Sequence, residues 1–184
     1  MSCNVLKTLR NKSEVDEVIR STEDVVLVLR FGRENDTVCM QLDNIIEMKS
    51  RKGLKGSIYM EIRKVACLSK VDLRSKPIDL EKASTELGNM AEIYCVNVDS
   101  VHVYTQYFDI TLIPATVFFF NAQHMKVDWG SQDNTKYIGT FKKKQHFIDV
   151  VETIFRGAMK GKVIVNSPLD PSDIHKYDLV YKDI

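Results

Sequence analysis

Val25-Val26-Leu27-Val28-Leu29-Arg30-Phe31, followed by Gly32-Arg33-Glu34-Asn35-Asp36-Thr37-Val38-Cys39, is the stretch that decides the fold. The first seven residues are apolar except for Arg30, as expected for a central strand covered on both faces. A turn follows. From Cys39 to Ile46 the residues Leu42, Ile45 and Ile46 fall at i, i+3 and i+4, one stripe of an amphipathic helix. Ala91 to Val98 reads as a second buried strand. Ala115 to Phe120 and Met125 to Trp129 read as two more, joined by a hairpin loop at Asn121-Ala122-Gln123-His124. Helices are expected from Ser13, as N-cap, through Ile19, over Val101 to Phe108, and over Phe141 to Arg156. Gly157 and Gly161 punctuate the end of the last helix. The order β-α-β-α-β-β-α predicts an α/β fold, a mixed central sheet flanked by helices on both faces with its last two strands antiparallel.

The chain has 184 residues, 44% hydrophobic and 28% charged, with a net charge of +1. That size fits one domain, and the neutral balance gives no overall field for nucleic acid or membrane. No apolar run reaches the ~20 residues of a membrane span, and the first residues carry no secretory h-region. Cys3, Cys39, Cys67 and Cys95 form no Cys-x-x-Cys pair and fit no zinc spacing. Free thiols in a reducing compartment are expected. His102, His124, His146 and His175 are scattered and read as surface or loop histidines, so neither metal nor cofactor is expected. Gly-x-Gly-x-x-Gly, Walker and Gly-x-Ser-x-Gly motifs are absent.

Residues 48–81 break the pattern. They hold nine Lys/Arg against four Asp/Glu, a net of +5 that leaves the rest of the chain at −4. Joining Glu47 directly to Lys82 puts Leu42, Ile45, Ile46, Ala83, Leu87 and Met90 in one helical period. The segment therefore reads as a basic insert within the second helix. A tolerated surface loop, a retained intron and a gene-model error would all give this sequence. The insert could contact RNA phosphates. Tyr59 is its only aromatic, so a stacking platform is lacking and direct RNA binding is disfavoured. The expected organisation is a domain over 1–161, containing the 48–81 insert, and an extended C-terminal tail over 162–184.

A buried strand, a turn, a helix and a later Ile113-Pro114 before a hydrophobic strand resemble a thioredoxin-like domain. A thioredoxin carries Cys-x-x-Cys at the turn, where this chain has Asp36-Thr37-Val38-Cys39. Asp36, Cys39 and Pro114 thus form a degenerate redox turn, with no catalytic residue expected. Two readings of Cys39 compete. A helix N-terminus lowers a thiol pKa, which would suit a single-thiol oxidoreductase. A carboxylate at the partner position disfavours the thiolate and cannot close a disulfide; on that side Cys39 is a small packing residue at a helix start, the favoured reading. The resemblance implies that Pro114 is cis and faces the turn.

Val-Leu-Arg-Phe-Gly-Arg (28–33), Asp-x-x-Cys-x-x-Leu-Asp (36–43), Tyr-Phe-Asp-Ile (107–110), Ile-Pro-x-Thr-Val-Phe-Phe-Phe (113–120), Arg-Gly-Ala-Met-Lys-Gly-Lys (156–162) and Ser-Pro-x-Asp-Pro (167–171) resemble the thioredoxin-like pre-mRNA-splicing proteins. This is the family of the fifteen-kilodalton protein of the U-five small nuclear ribonucleoprotein. The Val-Tyr-Thr-Gln-Tyr-Phe-Asp-Ile run and the tail resemble its Dim-one-like branch. The resemblance implies a nuclear, redox-inactive interaction module of the splicing machinery, linked to cell-cycle progression. Implied partners are splicing proteins of the U-five/tri-snRNP, including a large scaffold protein, and the chain is similar to a homodimer former. Segment 48–81 has no counterpart in that family.

Overall fold

A computed structural model describes residues 6–33, 36–50 and 90–177. The expected strand is β2 (Val26–Gly32), buried along its whole length. Its side chains alternate between two cores: Val26 and Val28 belong to one, Leu27, Leu29 and Phe31 to the other. The remaining strands are β1 (Thr8–Leu9), β3 (Ala91–Asn97), β4 (Ala115–Phe120), β5 (Gln123–Asp128), β6 (Tyr137–Ile138) and β7 (Ile164–Asn166). They form one sheet in the order β1-β3-β2-β4-β5-β7, with β6 beside β4. β2 runs parallel to β3 and antiparallel to β4, and β4 is antiparallel to β5, so the mixed sheet is as expected.

Among the described residues four α-helices flank the sheet: α1 (Lys12–Ser21), α2 (Thr37–Ser50), α3 (His102–Tyr107) and α4 (Lys144–Ala158). Leu42 of α2 and Phe147, Val150, Val151 and Ile154 of α4 fill one core. Val15, Val18 and Ile19 of α1 fill the other, with Val101 and Phe108 at the ends of α3. Residues 51–89, which hold most of the basic insert and the Ala83 and Leu87 positions, lie outside the described residues.

Several expectations are corrected. α1 is capped two residues upstream of Ser13. Asn11 Oδ1 accepts from Glu14 N at 2.9 Å, and Glu14 Oε2 reaches back to accept from the N–H of Arg10, the residue before the cap, at 2.8 Å, a variant of the capping box. The hairpin turn is only Asn121-Ala122, at φ 49° and 62°, the mirror-image turn that matches strand twist. Gln123 and His124 therefore belong to β5. Phe141 precedes α4 and stacks on Tyr137 with centroids 4.2 Å apart. Met90 is not helical: its carbonyl accepts from Val26 N at 2.8 Å and opens the β2–β3 ladder. The stretch read as an extended tail supplies β7 and buries Val165 and Leu169 against the core. Residues 178–184 of that stretch lie outside the described residues.

Candidate functional site

The turn between β2 and α2 carries the residues singled out in the sequence. Asp36 caps α2, its Oδ1 accepting from Cys39 N at 2.8 Å. That bond, offered by an otherwise unsatisfied helix N–H, holds the Asp36 carboxyl below its ordinary range. Cys39 sits in the first turn with no exposed surface. Burial pushes its thiol up to about 11, against the pull of the Arg33 backbone N–H and the Arg30 charge, and Asp36 adds to the rise. The result is the opposite of what a helix N-terminus alone produces. Val38 and Met40, exposed on either side, give the mouth of the turn an apolar rim.

The Ile113–Pro114 bond is cis. The antiparallel register pairs Phe31 with Ala115, so one step further Pro114 lies across from Gly32 at the end of the sheet that holds the turn. Pro114 is buried, and its carbonyl accepts from Gly139 N at 2.8 Å. Proline offers no N–H and no ionisable group, so its contribution there is shape.

Beneath the turn lies a charged cluster that no motif announced. Arg30, 2% exposed, donates from Nε to Asp43 Oδ1 at 2.8 Å and from Nη2 to Asp43 Oδ2. The same Nη2 donates to Cys95 Sγ at 3.2 Å. Burial works against the Arg30 charge, but Cys95 and Asp43 outweigh it and raise its pKa. Burial also pushes the Cys95 thiol up to about 12. Gly32 makes room for this arrangement. A Cβ at that position would lie 2.5 Å from Cys39 Sγ and 2.7 Å from Arg30 Nη1. The site is thus a sealed pair of high-pKa thiols flanking a paired guanidinium. A thiolate nucleophile is scarce there at neutral pH, and the carboxylate in the other turn position has no sulfur chemistry.

Of the four histidines, His102 and His175 are exposed as expected, and His124 and His146 are not. His124 is half-buried against Phe108 and Phe119, its Nε2 2.9 Å from the Thr135 carbonyl, and burial lowers its pKa. The His146 side chain is 14% exposed and reaches Asp173 at 3.7 Å. The ring of His175 lies against Gly139. Among the described residues no group of three or more His, Cys, Asp or Glu is placed to hold a metal. No helix among them is long and apolar enough to cross a membrane.

Comparison with known proteins places this geometry. The human and baker's yeast relatives are 51% and 31% identical. The former, "Thioredoxin-like protein 4B" of Homo sapiens, matches over 180 residues and covers 98% of each chain. The latter, "Spliceosomal protein DIB1" of Saccharomyces cerevisiae, matches over 170 residues, 92% of this chain and 95% of its own. Among solved structures, a mutant thioredoxin of Halobacterium salinarum aligns with TM-score 0.50 at 12% identity, covering 84% of this chain and 95% of its own. That likeness shows the thioredoxin-like fold. The family model described as "Mitosis protein DIM1" matches residues 5–77 and 66–171, two pieces that overlap over 66–77 inside the basic segment. With that model spanning most of its length, the chain belongs to the DIM1 family.

Proposed function

We propose that this chain is a redox-inactive, non-enzymatic protein-interaction module of the pre-mRNA splicing machinery, acting in the nucleus on U-five/tri-snRNP proteins that include a large scaffold protein. The observation that carries the reading is the sealed turn. Asp36 occupies the position where a dithiol enzyme needs its attacking sulfur, and Cys39 is buried with a raised pKa. Attack on a disulfide requires an accessible thiolate, so the alternative of a single-thiol oxidoreductase using Cys39 is disfavoured. The names of the yeast relative and of the family supply the splicing and mitotic context. Self-association as a homodimer belongs to the same reading. Segment 48–81 is proposed to be dispensable for folding, since loop length is entropically cheap.

The test pairs two assays on the full chain. Insulin-disulfide reduction with dithiothreitol should show no turnover above the uncatalysed rate. Affinity recovery from nuclear extract, with and without 48–81, should retain U-five proteins in both cases. Robust dithiol turnover would overturn the redox-inactive reading, and recovery of no splicing protein by either form would overturn the module reading.

A further inference from the structure

The far edge of the sheet combines three features that the sealed turn does not use. β7 is the terminal strand of the sheet order. Lys126 N donates to Val163 O, and Ser167 N donates to Asp128 O, each at 2.9 Å. Lys126 lies opposite Ile164 and Asp128 opposite Asn166. Parallel geometry therefore turns the backbone groups of Val165 inward to β5, and those of Ile164 and Asn166 outward. Among the described residues no hydrogen bond reaches these outward groups.

The second feature is apolar exposure. Ile164 is 45% exposed, Val163 43% and Met159 64%, all on the strand or on the turn leading into it. Edge strands are normally blunted by charge, proline or a bulge, and β7 itself carries none of these, its exposed residues being Ile164 and Asn166. The third feature is charge. From Thr153 to Val165 the sequence carries Arg156, Lys160 and Lys162 and no acid. Lys126 adds a fourth cation across from Ile164. Arg156 is paired with Glu152, whereas Lys126, Lys160 and Lys162 are exposed and make no ion pair among the described residues. Asp128, opposite Asn166, is the one acid on the adjoining strand face.

We propose that the β7 edge takes an extended acidic peptide as an added strand. The outward N–H and C=O of Ile164 and Asn166 would supply the main-chain ladder. Successive side chains of the peptide would fall alternately on the face of Ile164 and on the face of Val163, following the strand period of two, so an alternating sequence sets its apolar side chains on one face and its carboxylates on the other. Its carboxylates would meet Lys126, Lys160 and Lys162. This inference stands apart from the splicing reading and needs no named partner.

The probe is a fluorescein-labelled heptapeptide of alternating glutamate and valine, with an alternating lysine and valine peptide as control. Fluorescence anisotropy on the full chain should show saturable, salt-sensitive binding of the acidic probe only. Ile164→Pro removes one outward N–H and leaves every β5 ladder bond intact, because proline is tolerated with its nitrogen facing outward. It should weaken binding ~5-fold or more, the loss of one main-chain hydrogen bond. The double change K160E/K162E should abolish acidic-probe binding and admit the lysine peptide. Thermal melts check that both variants fold, and the charge reversal keeps the test open if Ile164→Pro does not. No binding up to millimolar probe, equal binding of both peptides, or loss on charge reversal with Ile164→Pro unchanged would each overturn strand addition. Sedimentation showing self-association that Ile164→Pro removes would assign the edge to a second copy of this chain instead.

Discussion

Replacing Arg30 with methionine, which keeps the stem and removes the charge, tests whether the guanidinium holds the sheet to α2. Arg30 lies on β2 opposite Cys95 on β3 and Thr116 on β4, so its change reaches three central strands at once. In the folded chain it makes two hydrogen bonds to Asp43 and one to Cys95. Removing one member of a buried ion pair costs about 3–5 kcal/mol, because the other is left charged in a poor solvent. The Asp43 side chain is 20% exposed, so water recovers part of that and the lower end applies, about 3 kcal/mol. With a urea slope of roughly 2 kcal/mol per molar, the unfolding midpoint should fall by ~1.5 M. The double variant Arg30→Met with Asp43→Leu removes both charges and should recover more than half of the loss, since an apolar pair of similar volume is often neutral. Equilibrium unfolding followed by far-ultraviolet circular dichroism reads all three proteins. A single variant within ~0.5 kcal/mol of the parent, the range of an ordinary surface change, would refute the argument. So would a double variant less stable than the single.

Four other outcomes follow from the structure. Gly32→Ala should cost about 1–3 kcal/mol by overpacking, and Cys39→Ala in the same chain should return part of it, because the nearest clashing atom is Cys39 Sγ at 2.5 Å; absence of any rescue in urea unfolding would show that the clash is elsewhere. Folded Cys39, held to about 11 from an ordinary 9.0, should react with iodoacetamide at pH 8 about 100-fold more slowly than a free thiol, two units less ionised. Its raised value means that its contribution to stability is complete below pH 9 and lost as pH rises toward 11, so Cys39→Ala should flatten the alkaline side of the stability profile. Asp133, bonded to Lys136, Thr135 and Tyr177, keeps its pKa below 3.8 despite burial. A depressed carboxylate stabilises above its unfolded pKa and loses that as pH falls through the folded value, so Asp133→Asn should cost about 3 kcal/mol at pH 7, with the gap to the parent closing below pH 4; a pH-independent gap would reject the charge explanation.

What could be read from the sequence depended on whether the determining forces were local. β2 was legible because both of its faces are covered and its apolar run is unbroken but for one residue. β1 and β6, two residues each, and β7, three residues, are too short to show a period and exist only through their neighbours. The N-cap of α1 was within reach: Asn11 to Glu14 has the three-residue spacing of a capping box. The hairpin turn was not, because alanine at a positive φ is not a turn signal.

The candidate site divides in the same way. Asp36, Cys39 and Pro114 were visible as types at positions in a strand-turn-helix order. The raised pKa of Cys39 was not, because the burial that causes it comes from residues distant in sequence. Arg30 was the one visible trace of the cluster beneath the turn, a cation interrupting a strand that otherwise buries only apolar side chains. Its partners lie 13 and 65 residues away and share no motif with it. A buried guanidinium at that point must find a carboxylate or the strand cannot remain central. In α2, Asp43 lies one turn beyond Cys39, on the buried side with Leu42, so the same helix face that seals the thiol also supplies the charge that Arg30 requires. The covering of Cys39 and the stability of the central sheet are therefore coupled through α2. Reinstalling a cysteine at position 36 alone would leave Cys39 covered and its thiol raised, and would not restore a thioredoxin-type exchange.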